Sequence, residues 1–103
     1  MPEEKIKDIV GKFRICLSTD EWLFKEGSNA TYFFIIVEGH VEIVKNGYLI
    51  RNLGAGDYFG EMALLYGIKR SSSVRVVKEF RTRNIYYCLH KKFFLEAILF
   101  PTP

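Results

Sequence analysis

Apolar and polar residues change their spacing twice along this chain. Near the N-terminus the apolar residues recur at helical intervals, which predicts a helix over residues 1–14 with one apolar face. From Trp22 onward they form short runs separated by glycine turns, which is typical of strands. Residues 91–99, KKFFLEAIL, return to a helical pattern that should stop before Pro101. The apolar face of the N-terminal helix consists of Ile6, Ile9, Val10 and Phe13.

The central runs predict a set of short antiparallel strands. YFFIIV reads as a buried strand and VEIVK as its successor. Asn46 and Gly47 then form the strongest short-range hairpin signal, ahead of YLIRNL. Many short strands joined by glycine turns favour a barrel or jelly roll. The predicted strands are residues 32–37, 41–45, 48–53, 72–77 and 85–89.

The segment FGEMALLYGIKRSSSV, residues 59–74, carries the densest candidate chemistry. Gly60, Glu61 and Ala63 open a short apolar helix, and the first turn of a helix presents unpaired N–H groups that favour an anion. Arg70 follows the helix, and its guanidinium fork matches two phosphate oxygens and stays charged when partly buried. These residues predict a phosphate-binding site.

Glu61 must serve another part of the ligand, because a carboxylate only accepts hydrogen bonds and would repel a phosphate. A ribose hydroxyl is a natural donor to it, as in dinucleotide sites. Phosphate and ribose together indicate a nucleotide. Taken singly, Gly60 could be a turn, Glu61 a helix-start carboxylate and Arg70 a surface cation. Their joint spacing favours ligand binding over coincidence.

These residues resemble the cyclic nucleotide-binding domain family, whose phosphate-binding cassette reads F-G-E-x-A-L, a short spacer, then R and small residues. The resemblance extends through FKEGSNATYFFIIVEGHVEIV and LIRNLGAGDYFGE, so most of residues 23–77 take part. It looks most like the modules in the regulatory parts of cyclic-nucleotide-dependent protein kinases. The chain departs from the pattern at Lys69, where a proline is common, and at Ser71 and Ser72, which replace alanine or threonine followed by alanine.

The resemblance implies a mainly β fold in one domain over residues 1–103. A jelly-roll-like β-roll would span residues 15–90 and contain the short cassette helix, with a helix at each end. Family members usually continue into a longer helix that covers the base. We therefore expect that lid helix to be truncated here and the pocket to be open on one side.

The resemblance also implies a role for each cassette residue. The backbone of Gly60 and the carboxylate of Glu61 would take the ribose 2′-hydroxyl, while the Ala63 amide and the Arg70 side chain would take the cyclic phosphate. Arg51 stands where modules of cGMP-dependent kinases carry an arginine aimed at the base.

Ser71 stands where those modules often have threonine. A guanidinium suits the two acceptors O6 and N7 of guanine, and the Ser71 hydroxyl can accept from the guanine 2-amino group. The expected ligand is therefore cGMP, with cAMP as the alternative.

Composition and charge limit other functions. A chain of 103 residues with 49% hydrophobic content fits one small domain. The net charge of +3 is concentrated in the second half, yet we find no nucleic-acid-reading module and expect no nucleic-acid partner. His40 and His90 lack partners at metal-ligand spacing, and the serines of residues 71–73 lack a catalytic base. We expect no catalytic residue, no metal, no cofactor and no enzymatic activity of the domain itself.

The cysteines and the apolar runs indicate location. Cys16 and Cys88 match no zinc or redox spacing, so we expect reduced thiols in a cytoplasmic protein. The longest purely apolar run, residues 32–37, is far below the roughly 20 residues of a membrane helix, and the charged N-terminus does not resemble a signal peptide. We expect no membrane insertion.

The function expected from all of this is a cGMP-preferring regulatory module that allosterically controls an attached protein kinase. Its partners would be the cyclic nucleotide and a kinase catalytic domain in cis, or another effector. The amphipathic segments 6–13 and 93–99 are the candidate moving parts. Two alternatives stay open: a cAMP-binding regulatory module and a ligand-free docking domain of the same fold. A transcription regulator would need a helix-turn-helix, which these residues do not contain.

Overall fold

The computed structural model describes the backbone of residues 3–79 and 81–99 and the side chains of residues 7–79 and 81–98. The helices in these ranges are α1 (Glu3–Val10), α2 (Glu61–Tyr66) and α3 (Lys91–Leu99). The strands are β1 (Arg14–Leu17), β2 (Trp22–Phe24), β3 (Tyr32–Glu38), β4 (His40–Lys45), β5 (Tyr48–Leu53), β6 (Tyr58–Phe59), β7 (Ser73–Val77) and β8 (Ile85–His90).

The strands form two antiparallel sheets that pack face to face. One has the order β1-β8-β3-β6 and the other the order β2-β7-β4-β5. Consecutive strands β3 and β4 lie in different sheets, as do β6 and β7, so the chain crosses between the layers repeatedly. The expected jelly-roll-like β-roll, mainly β in content, is confirmed.

The core lies between the two sheets because alternate strand residues point inward. On β3 the alternation buries Phe34 and Ile36, and on β8 it buries Tyr86, which is 0% exposed. A second, smaller cluster joins α2, β8 and α3 on the outside of the first sheet. The central cluster contains Phe34, Ile36, Val41, Ile43, Leu53, Phe59, Val74, Tyr86 and Cys88, and the smaller one Leu64, Leu89 and Phe94.

The predicted hairpin connects β4 to β5. Asn46 has φ 52° and Gly47 has φ 81°, and two successive positive φ angles are what a tight two-residue hairpin requires. All five predicted strands are present, with small shifts at their ends.

The N-terminal helix is shorter than the apolar spacing predicts. It ends at Val10, where Gly11 and Lys12 form a turn, and β1 starts at Arg14. Val10 is 63% exposed, while Phe13 lies beyond the helix and packs edge-on against Tyr87 with centroids 6.3 Å apart. The predicted apolar face is therefore only partly buried. The side chains of Ile6 and Leu99, and Pro101, lie outside the described residues.

The two cysteines are not separate thiols in this structure. Cys16 on β1 and Cys88 on the neighbouring β8 are paired as a disulfide, with Cα atoms 6.5 Å apart. The expectation of two reduced, unpartnered thiols is wrong for this structure, because a sequence separation of 72 residues conceals the contact that β1–β8 pairing creates. None of the described helices is long and apolar enough to cross a membrane.

Candidate functional site

The cassette is the crossover from one sheet to the other. β6 pairs with β3 in the first sheet, and β7 belongs to the second. Between them run Gly60, helix α2, Gly67 and a loop that carries Arg70. Helix α2 buries Ala63 and Leu64, which fixes the helix against the roll. No side chain caps its N-terminus, so the first N–H groups of the helix donate no hydrogen bond to a capping side chain.

Gly60 adopts a conformation that few other residues tolerate. Its φ is 90° and its ψ 3°, in the left-handed region that disfavours a Cβ atom. A Cβ built there would lie 3.1 Å from Arg70 Nη1 and 3.3 Å from the carbonyl oxygen of Tyr32. The glycine therefore permits both the turn and the close approach of the guanidinium.

Arg70 is the central buried cation of the site, with 5% of its surface exposed. Nη1 donates to the carbonyl oxygen of Gly60 and Nη2 to that of Tyr32, each over 2.7 Å. Its backbone N–H donates to the carbonyl of Ser28, and its own carbonyl accepts from the N–H of Gly27. These contacts fix both the backbone and the side chain.

The Nε of Arg70 is buried and has no hydrogen-bond partner among the residues that the structure describes. Burial lowers the pKa of Arg70 to about 10, and the nearby Glu61 carboxylate opposes this shift. The guanidinium remains cationic near neutral pH. An unpartnered donor on a buried cation is costly without an acceptor, so these residues fit an anionic ligand.

The six residues predicted to contact ligand converge on a single cavity of about 290 Å³. They come from three places in the chain: Arg51 from β5, the cassette helix start, and the loop before β7. Whether each one binds ligand stays a prediction. The six are Arg51, Gly60, Glu61, Ala63, Arg70 and Ser71.

Sequence reasoning missed the apolar wall of this cavity. Phe24 is the notable omission, because its ring lies over the Arg70 guanidinium with 3.9 Å between the ring centroid and Cζ. No local pattern marks it, since β2 is a short strand of three residues. Ile50 could have been predicted more easily, because it directly precedes Arg51, a predicted site residue, on β5. The missed residues are Phe24, Ile43, Ile50, Leu53, Tyr58, Phe59, Met62 and Val74, and Ser72, one of the small residues that follow Arg70 in the cassette pattern, also lines the cavity.

A second and larger cavity of about 740 Å³ lies on the other side of α2, between that helix and α3. Ala63 lines both cavities, whereas Glu61 and Arg70 line only the first. Within residues 3–79 and 81–99, no cluster of His, Cys, Asp and Glu could hold a metal ion. The first cavity is therefore the one that contains the side chains predicted to bind phosphate and ribose, Arg70 and Glu61.

Comparison with known proteins defines the class. Residues 14–97 match the cyclic nucleotide-binding domain family, and the chain belongs to that family. It is related to the regulatory domains of cyclic-nucleotide-dependent protein kinases, as its relatives show. The family and the kinase resemblance inferred from the cassette are both confirmed.

Two curated relatives are cGMP-dependent protein kinases. The chain is 54% identical over 54 residues to that of Toxoplasma gondii, covering 52% of this chain and 5% of the kinase. It is 30% identical over 80 residues to cGMP-dependent protein kinase 2 of Mus musculus, covering 77% of this chain and 10% of the kinase. The chain thus spans only a small part of the length of these relatives.

Solved structures share the fold. The chain superposes on cAMP-bound PfPKA-R with a TM-score of 0.81 and 26% identity, covering 91% of this chain and 34% of that one. It superposes on the catabolite activator protein of Thermus thermophilus with a TM-score of 0.78 and 23% identity, covering 96% and 47%. The second likeness concerns the fold alone.

Proposed function

We propose that this chain is a regulatory module that binds a cyclic nucleotide, prefers cGMP and transmits binding to an attached protein kinase. The observation that carries the proposal is the buried Arg70, whose Nε has no partner and which lines a cavity beside an uncapped helix start. A phosphate satisfies both the guanidinium and the helix N–H groups. Glu61 at the same cavity supplies the acceptor for a ribose hydroxyl.

The cyclic phosphate would lie between the N-terminal turn of α2 and Arg70. The amide of Ala63 and the free donors of the guanidinium would bind its oxygens, while the backbone of Gly60 and the carboxylate of Glu61 would bind the 2′-hydroxyl. Phosphate and carboxylate repel each other, so this arrangement gives the ligand one orientation. Recognition of phosphate and ribose together selects a nucleotide over a simple anion.

The cGMP preference rests on Arg51 and Ser71. Both line the cavity and both are exposed, so each is free to turn toward a base. Guanine offers two acceptors to a guanidinium and a 2-amino donor to a hydroxyl, whereas adenine offers neither combination. Relatives named as cGMP-dependent protein kinases add support.

Allosteric control requires that the ligand favour one arrangement of the domain over another. Arg70 Nη2 donates a hydrogen bond to the carbonyl oxygen of Tyr32 on β3. The carbonyl oxygen of the preceding residue, Thr31, accepts a hydrogen bond of 2.8 Å from the N–H of Lys91. Lys91 begins α3. A phosphate that draws Arg70 toward itself would therefore act close to the start of the terminal helix. A kinase catalytic domain in cis, or another effector, would respond to that helix.

A cAMP-binding module is the second candidate, because PfPKA-R is described as cAMP-bound. A ligand-free docking domain explains the cavity less well, since it leaves Arg70 Nε without a partner. The proposal includes a cytoplasmic location for the regulatory module.

Calorimetric titration of the chain with cGMP, cAMP and the two linear 5′-monophosphates tests the proposal. We expect both cyclic nucleotides to bind, cGMP about tenfold or more tightly, which is ~1.4 kcal/mol, and the linear nucleotides to bind more weakly. Equal affinities would contradict the cGMP preference alone. No binding of either cyclic nucleotide at millimolar concentration would contradict the whole proposal.

A further inference from the structure

Phe24 occupies an unusual position relative to the cassette arginine. It is the last residue of β2 and pairs in register with Val74 of β7. Its ring lies over the Arg70 guanidinium, with Cζ 3.9 Å from the ring centroid, and it also lines the cavity. It is only half-buried, so a role in the core does not account for the whole side chain.

The ring belongs to an aromatic cluster that continues into the core. Phe34 and Phe59 are stacked with centroids 5.1 Å apart, and Phe24 lies 6.1 Å from the first and 6.0 Å from the second. Arg70 contacts this cluster through the Phe24 ring, on the side that faces the cavity. The guanidinium therefore rests on a surface that the core holds in place.

No carboxylate forms an ion pair with Arg70 among the described residues. Its side chain is held by the carbonyls of Gly60 and Tyr32 and by the face of Phe24. The ring is an apolar surface 3.9 Å from Cζ, so it does not compete with the carbonyls for the N–H donors of the guanidinium. The ring also attracts the cation electrostatically.

We propose that Phe24 is a positioning residue for the anion-binding guanidinium of Arg70, an inference that rests on the proposed function. The aromatic ring holds the Arg70 guanidinium in place at the cavity before ligand arrives. A ligand phosphate then meets a cation whose orientation is already fixed, which reduces the entropy lost on binding. Loss of the ring would loosen the guanidinium, which its hydrogen bonds to the carbonyls of Gly60 and Tyr32 would still hold, and would leave its charge in place.

The test compares Phe24→Leu, Phe24→Tyr and the control Phe34→Leu with the unchanged chain. Phe34 sits in the same cluster and is 8% exposed, so its substitution disturbs the core at least as much. We expect Phe24→Leu to weaken binding of cGMP and cAMP alike by about 3- to 30-fold, the range of one cation–π contact. Phe24→Tyr, which keeps the ring face, should restore affinity, and Phe34→Leu should lower the melting temperature with a smaller loss of affinity.

Side-chain NMR supplies a measurement that does not depend on ligand, and its result for the unchanged chain does not depend on the stability of any variant. In the unchanged chain the Arg70 Nε–H and Hδ resonances should carry a ring-current shift, which Phe24→Tyr retains and Phe24→Leu loses. Absence of that shift in the unchanged chain would overturn the inference even if Phe24→Leu did not fold.

Two binding results would also overturn it. One is an affinity of Phe24→Leu within about twofold of the unchanged chain, which is under ~0.5 kcal/mol. The other is an equal loss in Phe24→Leu and Phe24→Tyr, which would show that side-chain fit and not the ring face matters. Failure of the unchanged chain to bind any cyclic nucleotide is a separate result that removes the proposed function and this inference with it.

Discussion

Arg70 Nη2 donates a 2.7 Å hydrogen bond to the carbonyl oxygen of Tyr32, which links the cassette loop to the first residue of β3. Tyr32 pairs in register with His90, the last residue of β8, and the two rings meet edge-on with centroids 5.5 Å apart. The cation that would bind phosphate is thus joined directly to the strand ends from which α3 begins. A ligand at Arg70 would act on the framework as well as on the cavity.

Arg70→Ala should weaken cyclic-nucleotide binding by about 2–5 kcal/mol, because the ligand phosphate would lose its buried partner. Arg70→Lys should be nearly as damaging. A lysine ammonium lacks the planar fork of donors with which a guanidinium can bind both carbonyls and the phosphate. Titration calorimetry of folded variants measures the loss. The neighbouring cation Lys69 is exposed and bonds Asn29, so Lys69→Ala is the charge-matched control. Arg70 variants within about threefold of the unchanged affinity, under ~1 kcal/mol, would contradict the site.

Gly60→Ala and Gly56→Ala form a matched pair. Both glycines have φ near 90°, but a Cβ at Gly56 meets nothing within 4 Å, whereas one at Gly60 meets Arg70 Nη1 at 3.1 Å. Each variant should lose about 1–2 kcal/mol of unfolding free energy from the left-handed conformation. Only Gly60→Ala should also displace the guanidinium and weaken ligand binding. Denaturant titration measures the loss of unfolding free energy, and calorimetry measures the loss of ligand affinity. Equal ligand affinities of Gly60→Ala and Gly56→Ala would argue against the contact between a Cβ at residue 60 and Arg70.

Glu61→Gln should weaken cyclic-nucleotide binding by about 1.5–3 kcal/mol, the range for a hydrogen bond to a charged group. The sharper measurement uses a 2′-deoxy cyclic nucleotide. The unchanged chain should bind it less well than the ribose form, and Glu61→Gln should discriminate less strongly between the two, because its amide oxygen accepts a weaker hydrogen bond than a carboxylate does. Glu42→Gln is the control, because Glu42 pairs with Arg75 and lies outside the cavity. Preserved discrimination in Glu61→Gln would remove Glu61 from the ribose site.

Arg51→Ala and Ser71→Ala should each reduce the preference for cGMP over cAMP, by roughly 1–3 kcal/mol per lost base contact. The affinity for cAMP should change little, because neither side chain pairs with adenine. Competition binding on the two variants and the unchanged chain measures the ratio. A ratio that is the same in all three proteins would show that neither residue reads the base.

Tyr86→Phe should leave the fold intact and raise its stability by up to about 1 kcal/mol, because the buried hydroxyl has no hydrogen-bond partner within the described part of the chain. Burial raises the pKa of Tyr86 from 10.0 to about 12. The folded state therefore keeps this proton longer than the unfolded chain, and stability should fall as pH rises from about 10 to about 12. Tyr86→Phe should show a shallower decline over that interval in pH-dependent denaturation. An unchanged slope would show that ionisation of Tyr86 does not cause the decline, and a marked loss of stability at neutral pH would show that the hydroxyl has a stabilising role.

The cassette and most strands could be predicted from sequence because their signals are local. The purely apolar run of residues 32–37 predicts a strand, and Asn46 with Gly47 specifies the positive φ angles of a tight turn. The spacing from Gly60 to Arg70 indicates the anion site in the same way. Strands β1, β2 and β6 are not among the predicted strands, because runs of four, three and two residues are too short to show periodicity.

The sequence by itself thus determined the family, the mainly β fold and the residues of the cassette, since each depends on neighbours in the chain. Only the tertiary structure decided which distant residues meet. The pairing of β1 with β8 brings Cys16 to Cys88, and the pairing of β2 with β7 brings Phe24 to Arg70. Such contacts depend on antiparallel pairing between strands far apart in sequence, and that pairing is determined by the packing of whole sheets. No local sequence pattern predicts which of these strands pair.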